Sequence, residues 1–181
     1  QADIDTAVSL LGEKDIKARK LAVAAAFHSK AVSDACIPFE EKLKDITFSK
    51  GNADIYSNTT GKLYPKIADA ARKLFAHQLA QPVEFISMIN SMYSDGIRTF
   101  VETGPGRTMS GLIGAILQDR EHTCISLDGT KGNISGIEEL ARTLSHLSTL
   151  GYAVRLEEWN RDFYRADERI TLPAPKMAVP I

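Results

Sequence analysis

Ile4, Ala7, Val8 and Leu11 recur at the i, i+3, i+4, i+7 spacing of one apolar helical face, which predicts a short helix with Asp3 as N-cap and Gly12 as its stop. A charged stretch ending at Arg19 and Lys20 precedes Leu21-Ala-Val-Ala-Ala-Ala-Phe27, a compact apolar run that fits a buried strand, although residues this small also suit a helix. Pro38 suits a first helical turn, where a missing N–H costs nothing, and Phe39, Leu43 and Ile46 follow on one face. Asp54 to Ser57 predicts a short strand and Asn58-Thr-Thr-Gly61 a turn. From Lys66, the stripe Ile67, Ala71, Leu74, Phe75 predicts a helix that carries one polar residue, Gln78, on its buried side and ends before Pro82. Phe85, Ile89, Met92 and Tyr93 mark another helix, closed by Gly96. Arg98 to Glu102 reads as a strand running into Gly104-Pro-Gly106 and then a helix from Met109 to Leu117. Thr123 to Leu127 is a further strand, and Ile137, Leu140, Leu144, Leu147 and Leu150 give a long helix ending at Gly151. Strands alternating with helices predict an α/β fold. Beyond Trp159 the pattern dissolves into a charge-rich stretch, 161–169, and an extended segment, 172–181, with three prolines, which reads as a linker.

Composition adds exclusions. The 181 residues are 44% hydrophobic and 25% charged, enough for a domain with a proper core. Lys and Arg number 22 against 23 Asp and Glu, so no phosphate-binding footprint exists and no nucleic-acid partner is expected. No apolar run approaches a membrane span and no basic, apolar leader opens the chain, so no membrane contact and a cytoplasmic location are expected. Cys36 and Cys124 stand far apart without metal-ligand spacing, so both read as buried thiols, with no metal.

The candidate chemistry is thin when each residue is taken alone. His28 follows the apolar run, where a strand could deliver a side chain to a sheet edge, but from its position alone a loop histidine is the better reading. No G-x-S-x-G occurs, and Ser29, Ser33 and Ser57 lack the strand-to-helix elbow that would activate a serine. Gly104-Pro-Gly106 matches neither phosphate-loop nor dinucleotide spacing and reads as a tight turn. Gln78 reads as a satisfied amide, and His77, His122 and His146 as surface or cap residues.

Four stretches taken in order change this picture: Ala26-Phe27-His28-Ser29, Tyr56-Ser-Asn-Thr-Thr-Gly61, His77-Gln-Leu-Ala-Gln-Pro-Val-Glu-Phe85 and Phe100-Val-Glu-Thr-Gly-Pro-Gly106. Together they resemble the acyltransferase domains of polyketide synthases, similar to malonyl-CoA:carrier-protein transacylases. The resemblance covers essentially the whole chain. It implies part of an α/β-hydrolase-like large subdomain with the tail of an inserted ferredoxin-like small subdomain. Residues 1–27 would be that tail, 28–128 the C-terminal half of the large subdomain, and 129–181 the terminal helix and a post-acyltransferase linker.

The implied reaction is two-step transfer through a serine ester, from malonyl-CoA to the phosphopantetheine thiol of an acyl carrier protein, with no bound cofactor. His28 would be general base and then acid, and the backbone carbonyl of Gln78 would orient it. Phe27 would favour malonyl, because the family's serine at this position accompanies methylmalonyl. Ala25 replaces the histidine common in modular malonyl domains, so iterative and polyunsaturated-fatty-acid-type synthases also fit. The nucleophilic serine, the malonyl-binding arginine and an oxyanion glutamine would lie in an upstream half of the domain, which makes that half a partner, alongside the carrier protein and a ketosynthase reached through the linker. The alternative is a non-catalytic, acyltransferase-like docking module.

Overall fold

The computed structural model describes residues 2–20, 26–49, 51–155 and 159. Among them lie helices α1 (Ala2–Gly12), α2 (Cys36–Leu43), α3 (Ala68–His77), α4 (Phe85–Ser94), α5 (Thr108–Leu117) and α6 (Gly136–Thr149), and strands β1 (Tyr56–Ser57), β2 (Lys62–Leu63), β3 (Thr99–Glu102) and β4 (Thr123–Ser126). The chain divides into two compact units, 1–98 with 115–121, and 99–114 with 122–181.

In the first unit, α2 packs on α3 because each presents an aromatic and small apolar residues to the other. The Phe39 and Phe75 rings lie 5.8 Å apart, Phe48 adds a ring 6.3 Å from Phe75, and Leu43 and Ala76 are buried. The Leu43 carbonyl at the end of α2 accepts from Arg72 Nε at 3.0 Å, and 3₁₀-type bonds tighten the turn that follows. Ile46 therefore falls past the helix and is exposed, contrary to its predicted place on the apolar face. Ile67 also departs from expectation: it is the extended N-cap of α3 and 71% exposed, because a cap residue turns away from the stripe it precedes. α1 begins at Ala2, which puts Asp3 in its first turn rather than at the cap. Ala26 is irregular and Phe27 lies in a turn, while residues 21–25 of the predicted strand lie outside the described residues.

Strands β1 and β2 form an antiparallel hairpin, Tyr56 opposite Leu63 and Ser57 opposite Lys62, around the predicted turn. The second strand, too short to show a pattern, was not expected. Gly61 (φ +65°) lets the hairpin approach α4, since a Cβ there would come within 2.6 Å of Ser87 Cβ. Gly96 (φ +95°) ends α4 with the Gly96 N–H on Tyr93 and the Ile97 N–H on Met92.

The second unit is α/β: β3 and β4 run parallel from Thr99↔Thr123 to Glu102↔Ser126, joined in sequence through α5. Phe100, Ile113 and Ile125 are its buried apolar residues. Glu102 ends β3 and caps α5 at a distance: its carboxylate accepts from the Ser110 N–H (2.8 Å), the Ser110 hydroxyl (2.7 Å) and the Met109 N–H (3.0 Å). The Ser110 amide and hydroxyl, then the Met109 and Thr108 amides, hold this carboxyl below its ordinary range. A carboxyl depressed on folding contributes stability above its unfolded value and loses it as pH falls through its folded value. Glu102→Gln should therefore lower the thermal midpoint at neutral pH and less at acid pH; melting curves at pH 7 and below pH 4 that show an equal loss would contradict this.

Between β3 and α5, the Gly106 N–H donates to Asp128 O (2.7 Å) and Ser126 Oγ donates to Gly106 O (2.6 Å). Gly104, at φ +90°, would place a Cβ 2.7 Å from Asp128 Cβ. With the Gly106 amide and the first amides of α5 already engaged, Gly104-Pro105-Gly106 has the arrangement of a structural turn. The α6 stripe differs from expectation: Glu139 and Thr143 are the buried residues, while Ile137 is 70% exposed. Burial pushes the Glu139 carboxyl up, but bonds from Thr130 and the Gly129 amide outweigh it and hold the group below its ordinary range, so α6 turns an anchored carboxylate inward. The predicted linker, 161–181, lies outside the described residues.

Candidate active site

Ser29 explains how the chain turns at this site. Its hydroxyl donates to Ala26 O (2.7 Å) and accepts from the Ala31 N–H (3.3 Å), capping the 3₁₀ turn Lys30–Ala35 that leads into α2. His28 occupies the corner before it in the left-handed region, φ +60°, a conformation that costs a non-glycine residue about 1–3 kcal/mol and calls for support. Support comes from the end of α3. There the helix passes into a 3₁₀ turn, Gln78–Ala80, in which the Gln81 N–H donates to Gln78 O at 3.2 Å, and the His28 N–H donates to Leu79 O at 2.7 Å.

The same turn holds the ring. His28 Nδ1 lies 3.1 Å from Gln78 O, 50 residues away in sequence. A carbonyl oxygen only accepts, so this bond requires the proton on Nδ1 and leaves a lone pair on Nε2. The imidazole is exposed, with Nε2 available as a base. Phe27, the residue before it, is 58% exposed. The structure thus brings His28 and the Gln78 carbonyl into contact, with Phe27 adjacent in the chain.

Two further contacts at this turn carry no sequence signal. The Tyr64 hydroxyl donates to Gln78 Oε1 at 3.4 Å, and His77 Nε2 lies 3.1 Å from Glu40 Oε2. His77 is thus a paired side chain at a helix end. Sequence periodicity puts Gln78 on the buried side of the α3 stripe; it instead opens the 3₁₀ turn after α3, half-buried, with its carbonyl and its side-chain oxygen both engaged.

Other nucleophiles are committed elsewhere. Ser57 is fully buried and accepts from the Thr59 N–H, and Ser110 donates to Glu102. Among the described residues no serine hydroxyl bonds to the His28 ring. Cys36 is buried, whereas Cys124 is only half-buried, which departs from the expectation of two buried thiols. Burial, and then the Glu102 charge, push the Cys124 thiol up, away from the reactive thiolate. Among the described residues no group of three or more His, Cys, Asp or Glu side chains is placed to hold a metal, and no helix is long and apolar enough to cross a membrane.

No protein-family model matches the chain. It is 32% identical over 111 residues to the malonyl CoA-acyl carrier protein transacylase of Bacillus subtilis, covering 61% of this chain and 35% of that protein. It is 27% identical over 138 residues to a polyunsaturated fatty acid synthase polypeptide of a Thraustochytrium species, covering 75% of this chain and 5% of that one. The crystal structure of the malonyl CoA-acyl carrier protein transacylase from Clostridium perfringens superimposes with a TM-score of 0.65 at 29% identity, over 82% of this chain and 45% of that one. The chain therefore spans less than half the length of each of these relatives. Its homologues are malonyl-CoA:acyl-carrier-protein transacylases and the acyltransferase domains of polyketide and polyunsaturated-fatty-acid synthases, and it is related to part of their length.

Proposed function

We propose that the chain is the histidine-bearing part of a malonyl-type acyltransferase domain, working in the cytoplasm within a polyketide or polyunsaturated-fatty-acid synthase. The observation that carries this reading is the contact between His28 Nδ1 and Gln78 O, which leaves Nε2 free to accept a proton. A serine hydroxyl attacks the malonyl thioester of coenzyme A while Nε2 removes its proton; the thiolate of coenzyme A leaves, taking that proton back from the imidazolium. In the second half, Nε2 deprotonates the phosphopantetheine thiol of the carrier protein, the thiolate attacks the serine ester, and the proton returns to the serine oxygen. Because Nδ1 stays bonded to the Gln78 carbonyl throughout, each proton enters and leaves at one atom.

The serine belongs to a segment outside this chain, because no G-x-S-x-G elbow occurs in the 181 residues. On this reading residues 1–27 close a ferredoxin-like insert, 28–128 complete the large subdomain, and 129–181 supply the terminal helix and a linker toward a ketosynthase. The test is malonyl loading followed by intact mass. The chain alone should acquire no malonyl ester, and a domain that joins it to its own serine-bearing segment should acquire one. A joined domain that folds but stays unloaded would instead favour a docking module without catalysis.

A further inference from the structure

A ring oriented by a backbone carbonyl is only as well placed as the turn that carries the carbonyl. That turn, His77-Gln78-Leu79, makes two bonds to His28, at Gln78 O and Leu79 O. Two side-chain contacts fasten it to neighbouring elements. On one side the Tyr64 hydroxyl donates to Gln78 Oε1 at 3.4 Å, and Tyr64 is itself pinned to the β-hairpin by its N–H on Ile55 O at 2.7 Å. On the other side Glu40, in α2, engages His77 Nε2 at 3.1 Å.

We infer that Tyr64 and Glu40 are positioning residues that hold the His77-Gln78-Leu79 turn from two sides and so keep the His28 ring in its Nδ1–H tautomer. Neither touches His28. The contacts act at consecutive residues of the turn, one through the Gln78 amide and one through the His77 ring, so each limits a different rotation of the peptide units whose carbonyls face His28. The Tyr64–Gln78 contact is part-buried. Only the catalytic consequence of this inference rests on the proposed function; the ring geometry does not.

The experiment is ¹⁵N NMR of the histidine imidazoles, with the His28 signals assigned by their loss in His28→Ala. Tyr64→Phe and Glu40→Ala should each shift the Nδ1–H to Nε2–H ratio of His28 by ~3-fold, the size of one hydrogen bond. Glu40→Gln, which keeps an acceptor for His77, should restore the ratio. Variants that lose thermal stability yet keep the wild-type tautomer ratio would show that these contacts merely stabilise the fold and would overturn the inference. In the joined domain, Tyr64→Phe should lower kcat by ~3-fold at unchanged KM. If His28→Ala left loading intact, the proposed function would fail while the NMR result stood.

Discussion

Alanine at position 28, in the acyltransferase domain joined to its serine-bearing segment, is expected to lower the rate of malonyl loading by about 10²–10⁴-fold. A serine hydroxyl is almost wholly protonated at neutral pH, so its attack requires removal of the proton as the bond forms, and on the proposed function His28 Nε2, the ring nitrogen not bonded to Gln78 O, does this. The change is small in structural terms, because the ring is exposed and the bond from the His28 N–H to Leu79 O does not depend on the side chain. Alanine does tolerate the left-handed conformation poorly, so His28→Asn, better suited to it, is the companion variant. Single-turnover loading with malonyl-CoA, read by intact mass beside a thermal melt, separates lost chemistry from lost folding. A folded variant that loads at the wild-type rate removes His28 from the mechanism.

The second large effect concerns selectivity. Phe27 precedes His28 in the chain and is 58% exposed, and on the proposed function it forms a wall beside the acyl group that reacts next to His28. A methyl group in an apolar pocket is worth roughly 10–200-fold in discrimination. Phe27→Ser is expected to raise the ratio of methylmalonyl to malonyl loading by about 10-fold, measured in competition with both coenzyme A esters. An unchanged ratio would take Phe27 out of the selection of the acyl group.

Long periodic stripes were legible in the sequence. The helices over Phe85–Ser94 and Gly136–Thr149, and the strand and helix flanking Gly104-Pro105-Gly106, were expected from spacing and breakers, because those signals are local. The failures lie where tertiary contacts decide. Strand β2, two residues long, exists because Gly61 lets the hairpin meet α4. The inward face of α6 is set by Glu139 reaching the Thr130 amide rather than by its leucines. At the site, His28 was visible only through accompanying motifs. Its left-handed backbone, its two carbonyl acceptors 50 and 51 residues away, and the contacts of Tyr64 and Glu40 depend on pairing distant residues, which no period along the chain encodes.

Strands β3 and β4 pair only with each other among the described residues, four residues each, in parallel, and Val101 is 45% exposed. Parallel pairs this short are normally enclosed within larger sheets, and an uncovered strand edge is a template for whatever strand arrives first. For anyone preparing the chain by itself, this means that concentration is the variable to watch: copies competing for the same open edge would self-associate in vitro as concentration rises.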